Sequence, residues 1–133
     1  FGVLDPRDGR LIYINGGHEP AMIIDETGVK ERLLPTGPIV GWAPGAEFRY
    51  KQSRLKPGDI FFAYTDGVVD ACSSAGAQFT RKRLIALLAK TKIGAAGLMQ
   101  RVKSELSAHI GSEPLEDDIT ILALQRLPEE KIR

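Results

Sequence analysis

The feature that most constrains the fold is a short, strongly apolar run, Ile60–Tyr64 (IFFAY), which stops at Thr65-Asp66-Gly67. Its length and aromatic content favour a buried strand over a helix. A Pro-Gly turn signal at residues 57–58 precedes it. The chain is therefore expected to hold the carboxylate of Asp66 at the end of a buried strand, at a sheet edge.

Other apolar runs, separated by turn residues, indicate further strands. Residues 1–4 and 10–14 are expected to form a hairpin, because the intervening DPRDG has turn chemistry. Further strands are expected at residues 21–25, 29–34, 47–55 and 119–124. Two prolines at residues 35 and 38 predict a loop there.

The pattern becomes helical after the apolar run. Residues 78–90 and 95–110 carry apolar residues at helical spacing, with Thr80 as a candidate N-cap and Gly111 as a helix stop. Strands followed by two helices and a last strand predict an α+β fold built in layers, with the strands arriving as antiparallel pairs.

Composition excludes several classes of function. With 133 residues, 43% hydrophobic and 26% charged, the chain suits one globular domain or part of one. The formal net charge of +1 gives no field for nucleic acid, and no stretch is apolar enough to span a membrane. The single cysteine, Cys72, excludes a disulfide or thiolate zinc site within one chain and fits a reducing compartment.

Three carboxylates are candidates for chemistry: Asp66, and the adjacent pair Asp117 and Asp118. Taken alone, Asp66-Gly67 is an ordinary turn and the pair is an ordinary solvated turn. Together they lie at the ends of strands that could be neighbours in one sheet. Carboxylate oxygens suit Mg²⁺ or Mn²⁺, and such groups can hold two ions for hydrolysis. The combination therefore predicts a metal site.

Several ordered motifs resemble the SpoIIE-like branch of the metal-dependent (PPM-type) protein serine/threonine phosphatases. The order and gaps agree over nearly the whole chain, although His18 lies where the wider family often has Asp and is interpreted as a hydrogen-bonded loop residue. The motifs are residues 13–20 (YINGGHEP), 35–41 (PTGPIVG), 55–71 (LKPGDIFFAYTDGVVDA) and 116–122 (EDDITIL).

The resemblance implies a site and a fold. Asp66 and Asp117 would be catalytic metal ligands, Gly67 would leave room beside the metal, and Asp118 would support them. The fold implied is a β-sandwich flanked by helices, with residues 1–127 as a partial phosphatase domain and 128–133 as a polar C-terminal tail. The family's first strands and helices, with a Gly-Asp motif whose Asp bridges both metals, have no match here. The two-metal Mg²⁺ or Mn²⁺ site is therefore expected to be incomplete.

The resemblance also implies a function. The expected activity is hydrolysis of phosphoserine or phosphothreonine by metal-activated water, on a bacterial regulatory protein such as a STAS-type anti-anti-sigma factor. An upstream sensor or receiver domain and a cytoplasmic location are expected, with no nucleic-acid partner. Because an incomplete sandwich would expose a sheet face or edge, association is also expected, through a homodimer, strand exchange or a retained fragment of the missing half.

Two other functions are considered. A non-catalytic regulatory or interaction module that keeps the phosphatase fold is favoured by the missing bridging Asp and opposed by Asp66 and Asp117. A phosphatase that forms an aspartyl-phosphate would need a nucleophilic Asp two residues before Asp66, where the chain has Tyr64.

Overall fold

The computed structural model describes residues 1–89 and 92–128. Their secondary-structure elements, in chain order, are β1 (Gly2–Leu4), β2 (Arg10–Tyr13), β3 (Ala21–Asp25), β4 (Gly28–Leu33), β5 (Lys51–Arg54), β6 (Ile60–Tyr64), α1 (Asp66–Asp70), α2 (Arg81–Leu87), α3 (Gly94–Ile110) and β7 (Ile121–Gln125). This order of strands, helices and a last strand confirms the predicted α+β class.

The strands form two antiparallel sheets. One sheet has three strands in the order β1-β2-β5, and the other has four in the order β4-β3-β6-β7. The predicted hairpin at the start of the chain is confirmed by the β1–β2 pairing. The apolar run β6 lies inside the larger sheet, paired with β3 on one side and β7 on the other.

The larger sheet is buried on both faces because successive side chains of a strand point to opposite sides. Met22, Ile24 and Phe62 face the helices, whereas Ile23 and Phe61 face the smaller sheet. Met22, Ile23, Ile24 and Phe62 have no exposed surface. The result is a layer of helices, a central sheet and a second sheet.

The helix layer is anchored by one stripe of α3. Leu98, Val102 and Leu106, each four residues apart, are buried in the core against the larger sheet. Gly111 ends α3 with φ of 64°, a left-handed conformation that glycine adopts without strain. Thr80 caps α2 by accepting a hydrogen bond from the Arg83 N–H, as the sequence predicts.

Arg126, just after β7, ties the two sheets together. Its guanidinium donates to the carbonyls of Arg7 and Asp8, in the turn between β1 and β2, and to that of Leu55 after β5, at 2.9–3.0 Å. Gly9 lies under this contact, and a Cβ there would be 2.0 Å from the Leu55 carbonyl oxygen. The close approach therefore requires glycine at that position.

Several predicted boundaries are wrong. The strand expected over residues 47–55 is limited to β5, and the helix expected over 78–90 is the shorter α2 within the described residues. The last strand begins at Ile121 rather than at residue 119. Helix α1 was not predicted. Residues 129–133 of the expected polar tail lie outside the described residues.

Candidate metal centre

The candidate site is built where β6 ends and β7 begins. The two strands pair in register from Ile60 opposite Gln125 to Tyr64 opposite Ile121. Asp66, which follows β6, and the pair Asp117 and Asp118, which precedes β7, therefore reach the same edge of the sheet. The expectation that these carboxylates follow or precede neighbouring strands is confirmed.

Thr65 joins the two segments through three hydrogen bonds. Its backbone N–H donates to the Thr120 carbonyl at 3.0 Å, and its hydroxyl accepts from the Thr120 N–H at 3.0 Å. The same hydroxyl donates to the Asp118 carbonyl at 3.1 Å. These bonds continue the pairing of β6 and β7 beyond its last residue pair. They therefore fix the backbone at Asp66 relative to the backbone at Asp118.

Gly67 lies against the opposite segment. A Cβ built on it would be 2.4 Å from the Asp118 carbonyl oxygen and 3.6 Å from the Asp117 Cβ. Gly67 is buried and has a helical backbone conformation. Its role is therefore to let the backbone of Asp118 come close, and no unusual backbone angle is involved. The absence of a side chain at Gly67 is what lets the two acidic segments meet.

The carboxylates of Asp66, Asp117 and Asp118 are exposed. Asp66 Oδ1 accepts from the Gly67 N–H at 3.1 Å, and Asp117 Oδ1 accepts from the Asp118 N–H at 2.7 Å. Among residues 1–89 and 92–128, no Lys or Arg forms an ion pair with any of the three. Negative charge accumulates at this edge, which favours a bound cation.

The donor set fits only part of a metal's coordination shell. Carboxylate and carbonyl oxygens are the ligands that Mg²⁺ and Mn²⁺ prefer. Within the part of the chain that the structure describes, however, no group of three or more His, Cys, Asp or Glu side chains is placed to hold an ion. The ligand roles of Asp66, Asp117, Gly67 and Asp118 stay predictions.

A cavity of about 240 Å³ adjoins the site. Its wall includes the carboxylates of Asp70, Glu116 and Asp117 beside the apolar Ile110 and Leu115. The cavity therefore lies beside Gly67 and the acidic segment that precedes β7.

Sequence reasoning missed a hydrogen-bonded cluster at the end of β6, formed by Glu19, Tyr64 and Arg81. Burial and the hydrogen bond to the Glu19 carboxylate raise the pKa of the Tyr64 phenol to about 12, so this phenol stays protonated at neutral pH. The same carboxylate raises the pKa of Arg81 above its ordinary value. No spacing in the sequence relates these residues, which are far apart in the chain.

His18 lies in the loop that carries Glu19. Its backbone N–H donates to Asn15 Oδ1 at 2.9 Å, and its Nδ1 is 2.9 Å from the Glu19 carbonyl oxygen. Asn15 is buried and also donates to the carbonyls of His18 and Leu33. His18 is thus a hydrogen-bonded loop residue, as predicted.

A family model decides the classification. The model of Stage II sporulation protein E (SpoIIE) matches residues 1–127. The chain belongs to the SpoIIE family. This confirms the resemblance to SpoIIE-like PPM-type phosphatases that the motifs indicated.

Curated relatives agree with membership of the SpoIIE family. Protein IcfG of Synechocystis is 40% identical over 126 residues, which are 95% of this chain and 20% of IcfG. Phosphoserine phosphatase RsbP of Bacillus subtilis is 34% identical over 65 residues, which are 49% of this chain and 16% of RsbP. The chain thus spans a fifth or less of the length of these relatives.

Solved structures confirm the SpoIIE-family fold. The RsbU and RsbW domains of Rv1364c from Mycobacterium tuberculosis match with a TM-score of 0.74 at 27% identity, over 95% of this chain and 36% of that one. The SiaA-PP2C domain of Pseudomonas aeruginosa matches with a TM-score of 0.74 at 24% identity, over 90% and 47%. RsbX in complex with magnesium matches with a TM-score of 0.56 at 17% identity, over 90% and 51%.

Among the described residues, none of the helices has the length and apolar character needed to cross a membrane.

Proposed function

We propose that the full-length protein carrying this chain is a metal-dependent protein serine/threonine phosphatase. The observation that supports it is the meeting of Thr65-Asp66-Gly67 with Asp117-Asp118 at one sheet edge, held by the Thr65 hydrogen bonds and by the lack of a side chain at Gly67. The two meeting segments belong to the motifs that resemble the family's metal-binding runs.

The proposed roles follow from the donor atoms. Asp66 and Asp117 would bind Mg²⁺ or Mn²⁺ directly, and Asp118 would add negative charge beside them. Bound ions would supply an activated water and neutralise charge on the phosphoryl oxygens. Because the described residues, 1–89 and 92–128, offer too few ligands by themselves, the remaining ligands would come from elsewhere in the full-length protein, including the bridging Asp of a Gly-Asp motif.

The proposed substrate is phosphoserine or phosphothreonine on a folded regulatory protein. RsbP, which is similar over half of this chain, is named a phosphoserine phosphatase. A STAS-type anti-anti-sigma factor is the substrate class we propose. A cytoplasmic location and an upstream sensor or receiver domain are part of the same proposal, which rests on the family and on the lone Cys72.

Phosphate release tests the proposal. The full-length protein is incubated with Mn²⁺ and a phosphoserine-bearing STAS protein, and inorganic phosphate is measured against time. Asp66→Asn should lower the rate at least about 100-fold, because it removes a ligand charge from the centre. Asp8→Asn, which makes the same charge change in the turn before β2, is the matched control and should leave the rate unchanged.

A non-catalytic module that keeps the fold is the second candidate. The observation that favours it is that no set of three or more side chains capable of holding a metal is found in residues 1–89 and 92–128. A full-length sequence without an upstream Gly-Asp motif, combined with no phosphate release, would favour this candidate over the phosphatase.

A further inference from the structure

The Glu19 carboxylate connects three parts of the fold. It lies in the loop between β2 and β3, and its side chain is 19% exposed. It accepts a hydrogen bond from the Tyr64 hydroxyl at 2.9 Å. Arg81 adds contacts from Nε to Oε2 at 3.1 Å and from Nη2 to both oxygens at 2.8 Å. Contacts from two directions fix the orientation of this carboxylate.

Tyr64 carries this restraint to the strand that leads into the site. It is the last residue of β6, and it is only 2% exposed. Its buried ring fixes the side chain, and its hydroxyl is tied to the loop through Glu19. The residue just before Thr65 and Asp66 is therefore held by its bond to the loop before β3 as well as by its pairing with β7.

Arg81 carries the restraint to the helix that follows. It is the first residue of α2. The two residues before it are tied back to α1, because the Thr80 N–H donates to the Val69 carbonyl at 2.9 Å and the Phe79 N–H donates to the Ala71 carbonyl at 2.8 Å. The Glu19 carboxylate thus joins β6, the strand before α1, to the residues that precede α2 and are hydrogen-bonded to the end of α1.

We infer that Glu19 and Arg81 are positioning residues for the metal centre, acting through Tyr64 and α1 on the Asp66 carboxylate. Neither residue is proposed to touch substrate or metal, and the inference rests on the proposed function. The Arg81 side chain is 43% exposed, and ion pairs with such exposure stabilise the fold little. Groups that orient metal ligands, in contrast, typically change metal affinity about 10-fold to 100-fold when removed.

The two roles therefore predict different measurements. If the cluster only stabilises the fold, its loss lowers the free energy of unfolding and leaves the affinity of folded protein for metal unchanged. If it positions Asp66, metal affinity falls under conditions where every variant is fully folded. Urea unfolding supplies the first quantity, and calorimetric titration of the full-length protein with Mn²⁺ alone supplies the second.

Four variants test the positioning role. Arg81→Met and Tyr64→Phe should each weaken Mn²⁺ binding about 10-fold. Their double variant should weaken it by less than the product of the two changes, because both break one connected cluster. Arg81→Lys keeps the charge and should restore part of the affinity. Glu105→Gln is the matched control, since it removes the ion pair from Arg83 on the same helix to α3 and should leave Mn²⁺ affinity unchanged.

Each outcome decides between the proposals. Wild-type affinity in Arg81→Met and Tyr64→Phe overturns the positioning role and leaves the proposed phosphatase standing. Equal losses in Glu105→Gln also overturn it, because any ion pair of α2 would then have the same effect. A wild-type protein that binds no Mn²⁺ refutes the proposed metal centre itself, and the positioning role with it.

Discussion

Replacing Gly67 with Ala tests whether the close approach of the two acidic segments builds the site. The added Cβ would lie 2.4 Å from the Asp118 carbonyl oxygen, and real Cβ contacts are essentially never shorter than 3.0 Å. One segment must therefore move by at least the missing 0.6 Å. The carbonyl that must move also accepts the Thr65 hydroxyl hydrogen bond.

The cost of Gly67→Ala follows from two opposing terms. Overpacking of a fixed contact typically costs about 1–3 kcal/mol. Alanine is favoured over glycine in a helix by up to about 1 kcal/mol, which offsets part of that cost. The expected net loss in the free energy of unfolding is about 1–2 kcal/mol. Displacement of ligand-bearing backbone should also weaken Mn²⁺ binding about 10-fold.

Urea unfolding and Mn²⁺ calorimetry on the full-length protein measure both effects. Gly45→Ala is the matched control, because Gly45 has φ of +73° with no atom within 4 Å of the added Cβ. It should lose stability through backbone strain, yet keep wild-type Mn²⁺ affinity. Unchanged stability and unchanged affinity in Gly67→Ala would refute the reasoning, since the two segments would then tolerate separation.

The remaining predictions concern the sheets, the buried phenol and the edge of the larger sheet. Arg126→Met should lower the free energy of unfolding in urea by about 2–3 kcal/mol, because it removes the charged donor from the carbonyls of Arg7, Asp8 and Leu55. A loss below about 0.5 kcal/mol would contradict the role of Arg126 in tying the two sheets together. The raised pKa of Tyr64 contributes stability that is fully present below pH 10.0, the ordinary phenol value, and is lost as pH rises towards about 12. Tyr64→Phe should therefore flatten the fall of stability across that range, and an unchanged slope in alkaline unfolding curves would show that another group causes the fall. Strand β7 is at one edge of the larger sheet and carries Leu122 and Leu124 at 55% and 40% exposure. This 133-residue chain alone should therefore self-associate, as measured by light scattering, and Leu124→Lys should reduce the association. A monomer at all concentrations would contradict this prediction.

The sequence predicted the main strand of the site well because its signal is local. Five consecutive apolar residues ending at Asp66 specify a buried strand, and β6 has the bounds Ile60–Tyr64 that the run indicated. For β7 the sequence indicated only that the two strands could be neighbours in one sheet, and the structure pairs them. Thr80 and Gly111 were predicted correctly because caps and stops depend on single residue types.

Helix α1 was missed for a physical reason. Its five residues contain Gly67 and two valines, none of which favours a helix. Tertiary contacts stabilise it instead, because Val68 and Val69 are buried in the core. Such short helices depend on packing that a local pattern does not contain.

The Glu19 cluster was missed because its contacts are not local. Glu19 and Arg81 are 62 positions apart, and Glu19 and Tyr64 are 45 apart. Arg81 begins a basic run of three residues, 81–83, a charge pattern that by itself is typical of a solvated helix face. Only the fold shows that its first member turns inward to a carboxylate and that Arg83 instead packs over the Phe79 ring.

The most direct test of the central claim is to locate the metal. Crystals of the full-length protein soaked in Mn²⁺ should show anomalous scattering from an ion about 2 Å from carboxylate oxygens of Asp66 and Asp117, and Asp66→Asn crystals should lose or weaken that signal. Anomalous density at another site, or none at the edge where β6 and β7 meet, would contradict the account.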